Sequence, residues 1–194
     1  MSLPVRSKFS AVTFRSPDPV LEARAYQELL LSLLGADDPA AVQAETLGGL
    51  QATITAVGDQ LRASPAEGEW SVWGCLAHLV DAELAASGRY RFILTGDRPT
   101  LPGYDQDLWV AKTHFVDESP EQLLAIWQPL REANLRLWQR SSPEDRDRVG
   151  IHQERGPESY DLTFRMLAGH DRFHLDQMRR TVAGVRDRSG AASG

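Results

Sequence analysis

The segment F-R-M-L-A-G-H-D-R-F-H-L-D-Q-M-R-R, from Phe164 to Arg180, contains no proline and sets His170 and His174 four residues apart. On an α-helix such positions share one face, a single turn apart. Phe164, Leu167 and Met178 recur at helical spacing on or beside that face, so the pair is predicted to look inward. Two imidazoles one turn apart can grip a single borderline-soft metal ion through their ring nitrogens. They can equally be two helix histidines bonded to backbone or carboxylates. The intervening Asp171, Arg172 and Phe173 do not form the H-E-x-x-H pattern of metalloproteases.

Around this segment the chain has the composition of an ordinary soluble domain: 194 residues, 42% hydrophobic and 25% charged, enough for one well-filled core. A net charge of −6 disfavours nucleic acid or an anionic membrane as partner. The basic cluster Arg179, Arg180, Arg186 and Arg188 is read as complementing a helix C-terminal dipole. A single cysteine, Cys75, excludes an intrachain disulfide, and its neighbours Trp73, Leu76 and Leu79 predict a buried, inert thiol. No apolar run approaches the roughly 18 residues of a membrane span, and the N-terminus lacks the apolar core of a signal peptide. The expected location is cytoplasmic.

Start and stop signals divide the rest. Residues 1–17 show no clear period; Lys8 to Arg15 alternates weakly, as a short strand or a mobile arm would. Asp18-Pro19 opens an accessory helix with Leu21, Ala25, Leu29 and Leu33 in one stripe and Gly35 as its stop. Asp38-Pro39 repeats the start, and Val42, Thr46, Leu50, Ile54, Val57 and Leu61 predict an amphipathic helix from about 40 to 63. Ser71 caps a third helix running to about Leu94. Residues 97–118 are too irregular for a regular element, and too rich in Tyr104, Trp109 and Phe115 for an idle loop. Ser119-Pro120-Glu121-Gln122 is a capping-box start, with Pro129 as an expected kink before the helix ends near Arg140. Ser142-Pro143-Glu144 suggests a short turn, and residues 146–159 a linker. The last helix is predicted from about Asp161 or Thr163 to Gly184, followed by a flexible tail. Four helices of about 20 residues without a convincing sheet predict an all-α four-helix bundle with at least one crossover connection. The domain division is 1–38 as an N-terminal extension, 39–184 as the bundle and 185–194 as the tail.

Bundle cores are where facing helices build metal sites. His78 lies one turn or so into its helix; if that helix adjoins the one carrying His170 and His174, three imidazoles converge and leave a position open, as catalytic sites do. Asp81, three residues from His78, and Gln177, three from His174, are candidates to orient the rings. His152 is a candidate for the site mouth, and His114 is expected to be exposed.

At this point the blocks W-S-V-W-G-C-L-A-H-L-V-D-A-E (70–83), R-Y-R-F-I-L-T-G-D-R-P (89–99), Y-D-Q-D-L-W (104–109), H-Q-E-R-G (152–156) and H-D-R-F-H-L-D-Q-M (170–178) make the chain resemble the DinB-like four-helix-bundle superfamily, from about residue 40 to 183. That superfamily includes metal-dependent thiol S-transferases and proteins assigned as hydrolases. The resemblance implies that His78, His170 and His174 are metal ligands, that the metal is zinc or nickel with water completing its shell, and that the protein is a homodimer. The function expected first is an enzyme in which the metal activates a low-molecular-weight thiol for attack on a small electrophile. The alternatives are a metal-dependent hydrolase, and a non-enzymatic metal-binding stress-response module whose site a fourth ligand such as Asp81 would close.

Overall fold

The protein is described by a computed structural model, covering residues 17–18, 21–114 and 117–192. Seven helices make up most of it: α1 (Ala23–Leu34), α2 (Pro39–Val57), α3 (Val72–Thr95), α4 (Gln106–Thr113), α5 (Pro120–Arg140), α6 (Pro143–Arg146) and α7 (Tyr160–Ala192). Their starts follow the predicted chemistry. Asp38 accepts from the Ala40 amide and Ser71 from the Gly74 amide, each satisfying one backbone donor that a helix leaves unpaired. Ser119 and Gln122 form the reciprocal capping box. Pro129 does not end α5: it is exposed, as is Ala125, whose carbonyl loses its helical donor and can turn to water instead.

The bundle consists of α2, α3, α5 and α7. Around its ring α7 lies between α2 and α3, and α5 lies between them on the other side. Helices α2 and α3, consecutive along the chain, are therefore diagonal, which is the crossover that the mixed connection lengths predict. Two apolar clusters fill the interior. One gathers Leu76, Leu79, Leu123, Trp127 and Met178; the other gathers Tyr90, Ile93, Trp138, Tyr160 and Phe164, with Trp138 stacked on Phe164 at 4.1 Å. Between them α3 contributes Glu83, α5 contributes Arg131 and Asn134, and α7 contributes Asp171, all buried. Arg131 reaches Glu83 (2.7 Å) and Asp171 (2.5 Å), Asn134 donates to Glu83 (2.7 Å), and Thr46 of α2 donates to Asp171 (2.8 Å). A polar layer thus ties all four helices at mid-height.

Several expectations are corrected. Helix α1 buries Tyr26, Leu30 and Leu34 rather than the stripe Leu21, Ala25, Leu29 and Leu33, and Leu21 is 85% exposed. The run L-L-L-S-L-L offers more than one apolar face, and docking on α7 selects it. At that contact a Cβ on Gly169 would lie 2.0 Å from the Leu30 carbonyl oxygen, so only glycine permits the approach. Helix α1 starts at Ala23, later than Asp18-Pro19 suggests, while the Asp18 side chain caps the preceding turn at Leu21; Pro19 and the segment Lys8 to Arg15 lie outside the described residues. Helix α2 ends at Val57, where Gly58 takes φ 56°, rather than near residue 63.

The stretch 97–118 contains strand β1 (Thr100–Leu101) and α4, and the expected linker folds into a hairpin of β2 (Val149–His152) and β3 (Gly156–Ser159). Strand β1 joins β2 in parallel and β3 pairs it antiparallel, pinning Leu101 opposite His152. Gly150 makes this possible, since a Cβ there would strike the Leu101 side chain at 2.8 Å. The expected flexible tail is helical to Ala192. Helix α7 passes through Gly184 because Val182 and Val185 are buried and the Arg186 guanidinium donates to the Ala56 carbonyl (2.5 Å), offsetting the roughly 1 kcal/mol that glycine costs inside a helix. No helix among the described residues is long and apolar enough to cross a membrane.

Candidate metal centre

His78 comes from α3, and His170 and His174 from successive turns of α7, which packs beside it. All three are buried, and each offers a ring nitrogen within 4.8 Å of the others. The Nε2 atoms of His78 and His170 stand 3.0 Å apart. Two nitrogens on one tetrahedral zinc are separated by about 3.3 Å, the edge set by bonds near 2.0 Å. His78 Nδ1, His170 Nδ1 and His174 Nε2 are buried without a protein partner, an arrangement that folded proteins rarely leave unexplained. His174 Nδ1 lies 2.9 Å from Gln177 Oε1, an acceptor only, so Nδ1 carries the proton and Nε2 keeps its lone pair.

Burial holds all three rings neutral. It lowers His174 to about 4, and drives His78 and His170 well below the ordinary value, with the neighbouring imidazoles adding to the effect. Neutral imidazole is the form that binds a metal. Trp70 walls the cluster, its ring 4.9 Å from His78 and 6.3 Å from His174, and Phe173 meets His174 edge-on at 5.0 Å.

Asp81 does not serve His78. Its Oδ1 takes a contact of 3.0 Å from His114 Nε2, while His114 Nδ1 faces Glu118 at 3.2 Å. His114, expected to be exposed, has a side chain only 6% accessible. Two carboxylates, one from α3 and one before α5, draw it against the bundle. One oxygen of Asp81 is thus engaged by His114 while its Oδ2 is buried without a partner, and burial raises its pKa.

A cavity of about 550 Å³ opens from His78 and His170 to the surface. His152 is in its wall, placed by the β2–β3 hairpin; Arg89, Tyr104 and Arg155 line it too. Its apolar wall comes largely from Tyr26 and Leu30 of α1, with Ala82 and Ala86 of α3 and Met166 and Leu167 of α7. Of the aromatic residues in the stretch 97–118, Tyr104 lines the cavity and Trp109 packs on it at 4.2 Å; Phe115 lies outside the described residues. The part of α1 in the site carried no signal in the sequence beyond its apolar run. Arg131 and the buried carboxylates also escaped notice, because a charged residue within an amphipathic helix reads as solvent-facing.

The sequence profile of the DinB superfamily matches residues 44–178. Two proteins of Oceanobacillus iheyensis are similar to the chain. "Putative metal-dependent hydrolase OB0413" is 27% identical over 130 residues, covering 66% of this chain and 73% of that protein. "Putative metal-dependent hydrolase OB0782" is 28% identical over 117 residues, covering 60% and 67%. Among solved structures, YfiT from Bacillus subtilis, described as "a probable metal-dependent hydrolase with an unusual four-helix bundle topology", superposes with a TM-score of 0.66 at 18% identity, over 86% of this chain and 91% of that one. At that identity the likeness is one of fold.

Proposed function

Because this chain belongs to the DinB superfamily, we propose that it is a metal-dependent hydrolase that holds one divalent ion on His78, His170 and His174 and acts on a small molecule admitted through the adjoining cavity. The observation carrying this reading is the convergence of three buried imidazoles, held neutral, with the Nε2 atoms of His78 and His170 facing each other and His174 Nε2 buried without a protein partner. An all-imidazole donor set suits zinc or nickel. When bound, such an ion supplies a Lewis acid and brings the pKa of coordinated water towards neutrality.

The chain's own residues do the rest. Gln177 fixes the tautomer of His174, Trp70 and Phe173 keep solvent from the rings, and the cavity walls position the substrate next to His78 and His170. The names borne by its relatives favour hydrolysis, so water takes the place of the thiol expected first as the attacking group. The non-enzymatic alternative called for a fourth ligand such as Asp81; the contact of its Oδ1 with His114 favours the open site instead.

Elemental analysis of protein purified without an affinity tag tests the reading. About one equivalent of zinc or nickel is expected in the wild type and its loss in His170→Ala. No metal in either protein, even after incubation with zinc, would sink the proposal. Hydrolysis of small ester or amide substrates should then disappear in His78→Ala.

A further inference from the structure

We propose that the cavity beside the triad contains an anion subsite, formed by Arg89 and His152, that holds the carboxylate of a small substrate with an apolar body. The inference rests on the proposed function only in taking this cavity as the substrate site.

Arg89 stands on α3, on the same helix as His78, and both line the cavity. Its guanidinium donates to the Pro102 carbonyl at 2.9 Å and lies 5.8 Å from the Tyr104 ring centroid. No carboxylate among the described residues pairs with it, and every Asp and Glu of the chain is among those residues. Arg155 in the same wall is different: its guanidinium grips the fully buried Glu158, with one of the two contacts at 3.1 Å.

His152 adds a second donor. Its Nδ1 accepts from the Glu154 amide at 3.2 Å, so the neutral ring carries its proton on Nε2. That Nε2 is buried, 1% of the residue being exposed, and has no protein partner. Burial, with Arg155 and Arg89 nearby, keeps the ring neutral, its pKa down at about 3. Arg89 and His152 therefore present donors only, and a guanidinium beside an imidazole N–H matches the two oxygens of a carboxylate.

The local charge selects the anion. The Arg155–Glu158 pair sums to zero and His152 is neutral, leaving the single positive charge of Arg89. That one local positive charge matches a carboxylate monoanion rather than a phosphate dianion, and Asp18, Asp105, Asp107 and Glu154 along the same cavity penalise further negative charge. The remaining wall of Tyr26, Leu30, Ala82, Ala86, Met166 and Leu167 accepts an apolar body, and the volume suits a small molecule. Such a substrate would have its carboxylate at Arg89 and its scissile group towards His78 and His170.

Isothermal titration of the full chain with benzoate, benzamide and phenyl phosphate, in metal-free and zinc-loaded forms, tests this. Benzoate is expected to bind both forms alike, with benzamide and phenyl phosphate at least about tenfold weaker. Arg89→Met should weaken benzoate at least about tenfold and Arg89→Lys less, while His152→Phe should weaken it more than His152→Gln, which keeps an N–H donor. Thermal unfolding checks that each variant is folded, and Arg89→Gln serves if Arg89→Met is not. Benzamide binding as tightly as benzoate, phenyl phosphate binding more tightly, indifference to the charge of residue 89, or no benzoate binding at all would overturn the subsite. Benzoate binding that requires zinc and vanishes in His170→Ala would overturn it while sustaining the metal site. Binding that depends on Arg89 in a protein that takes up no zinc would sustain the subsite and remove the metal reading.

Discussion

His174 is held from three sides: Gln177 Oε1 accepts from its Nδ1–H, Trp70 lies across it at 24° and Phe173 abuts it. An imidazole so held loses little freedom on binding an ion, and its tautomer is already the one a ligand needs. Gln177→Leu should weaken zinc binding by about 10- to 100-fold with little loss of fold, measured by competition with a chromophoric chelator; unchanged affinity would show that Gln177 orients nothing. A pH dependence belongs to the same rings. Unfolded, each titrates near the ordinary 6.5; folded, burial lowers His174 to about 4 and holds the other two well below 6.5. Their folded values are depressed, so the unfolded chain binds protons first. The stability of the metal-free protein is therefore complete above about pH 6.5 and falls as pH drops towards 4, His174 alone accounting for about 3 kcal/mol. Urea unfolding at pH 8, 6 and 4 measures this, and a flat profile would contradict burial of the triad in neutral form.

At the scale of elements, α1 is a wall of the site rather than an appendage. It lies outside the matched segment 44–178, yet Tyr26 and Leu30 line the cavity, and the backbone of α1 touches α7 at Gly169, the residue before His170. Gly169→Ala sets a methyl group against the Leu30 carbonyl. The helix must retreat, with a loss of about 1–3 kcal/mol in urea unfolding and a widened cavity; a variant as stable as the wild type would mean that this contact is slack. The helix itself was legible from its leucines and from Gly35. Its orientation was not, because Leu21, Ala25, Leu29 and Leu33 form as good a stripe as Tyr26, Leu30 and Leu34. Only the partner surface discriminates between them. The β-hairpin was harder to read for a similar reason: four-residue strands carry too short an alternation to be seen, and the outer partner of β2 is β1, some fifty residues away.

Across the whole molecule, Arg131 decides how the four bundle helices register. It salt-bridges Glu83 of α3 and Asp171 of α7 and donates to the Gln43 carbonyl of α2 (3.0 Å), from a position only 3% exposed on α5. Burial works to lower its pKa, but Asp171 and Glu83 more than offset this and raise it, so it is always charged. Removing it by Arg131→Met leaves two buried carboxylates facing each other unneutralised, at a cost of about 3–5 kcal/mol in chemical denaturation. Adding Glu83→Gln and Asp171→Asn should return part of that loss. Because Asp171 follows His170 directly, the single variant should also lower zinc occupancy, and full occupancy would show the triad to be independent of the layer.

Local features are legible in the sequence alone. The caps at Asp38, Ser71 and Ser119 mark where backbone donors need partners, the apolar period marks each bundle helix, and the four-residue interval puts His170 and His174 on one face. These features depend on neighbours a turn or two away, so they survive without a fold. Only packing of the whole core sets α3 beside α7 and brings His78 to the pair, turns Asp81 to His114, shows Tyr26 and Leu30 of α1 to the cavity, and puts Arg89, without a carboxylate partner, in the same cavity wall as His152. Those outcomes depend on groups far apart in the chain, placed by packing of the whole core, and no local interval encodes them.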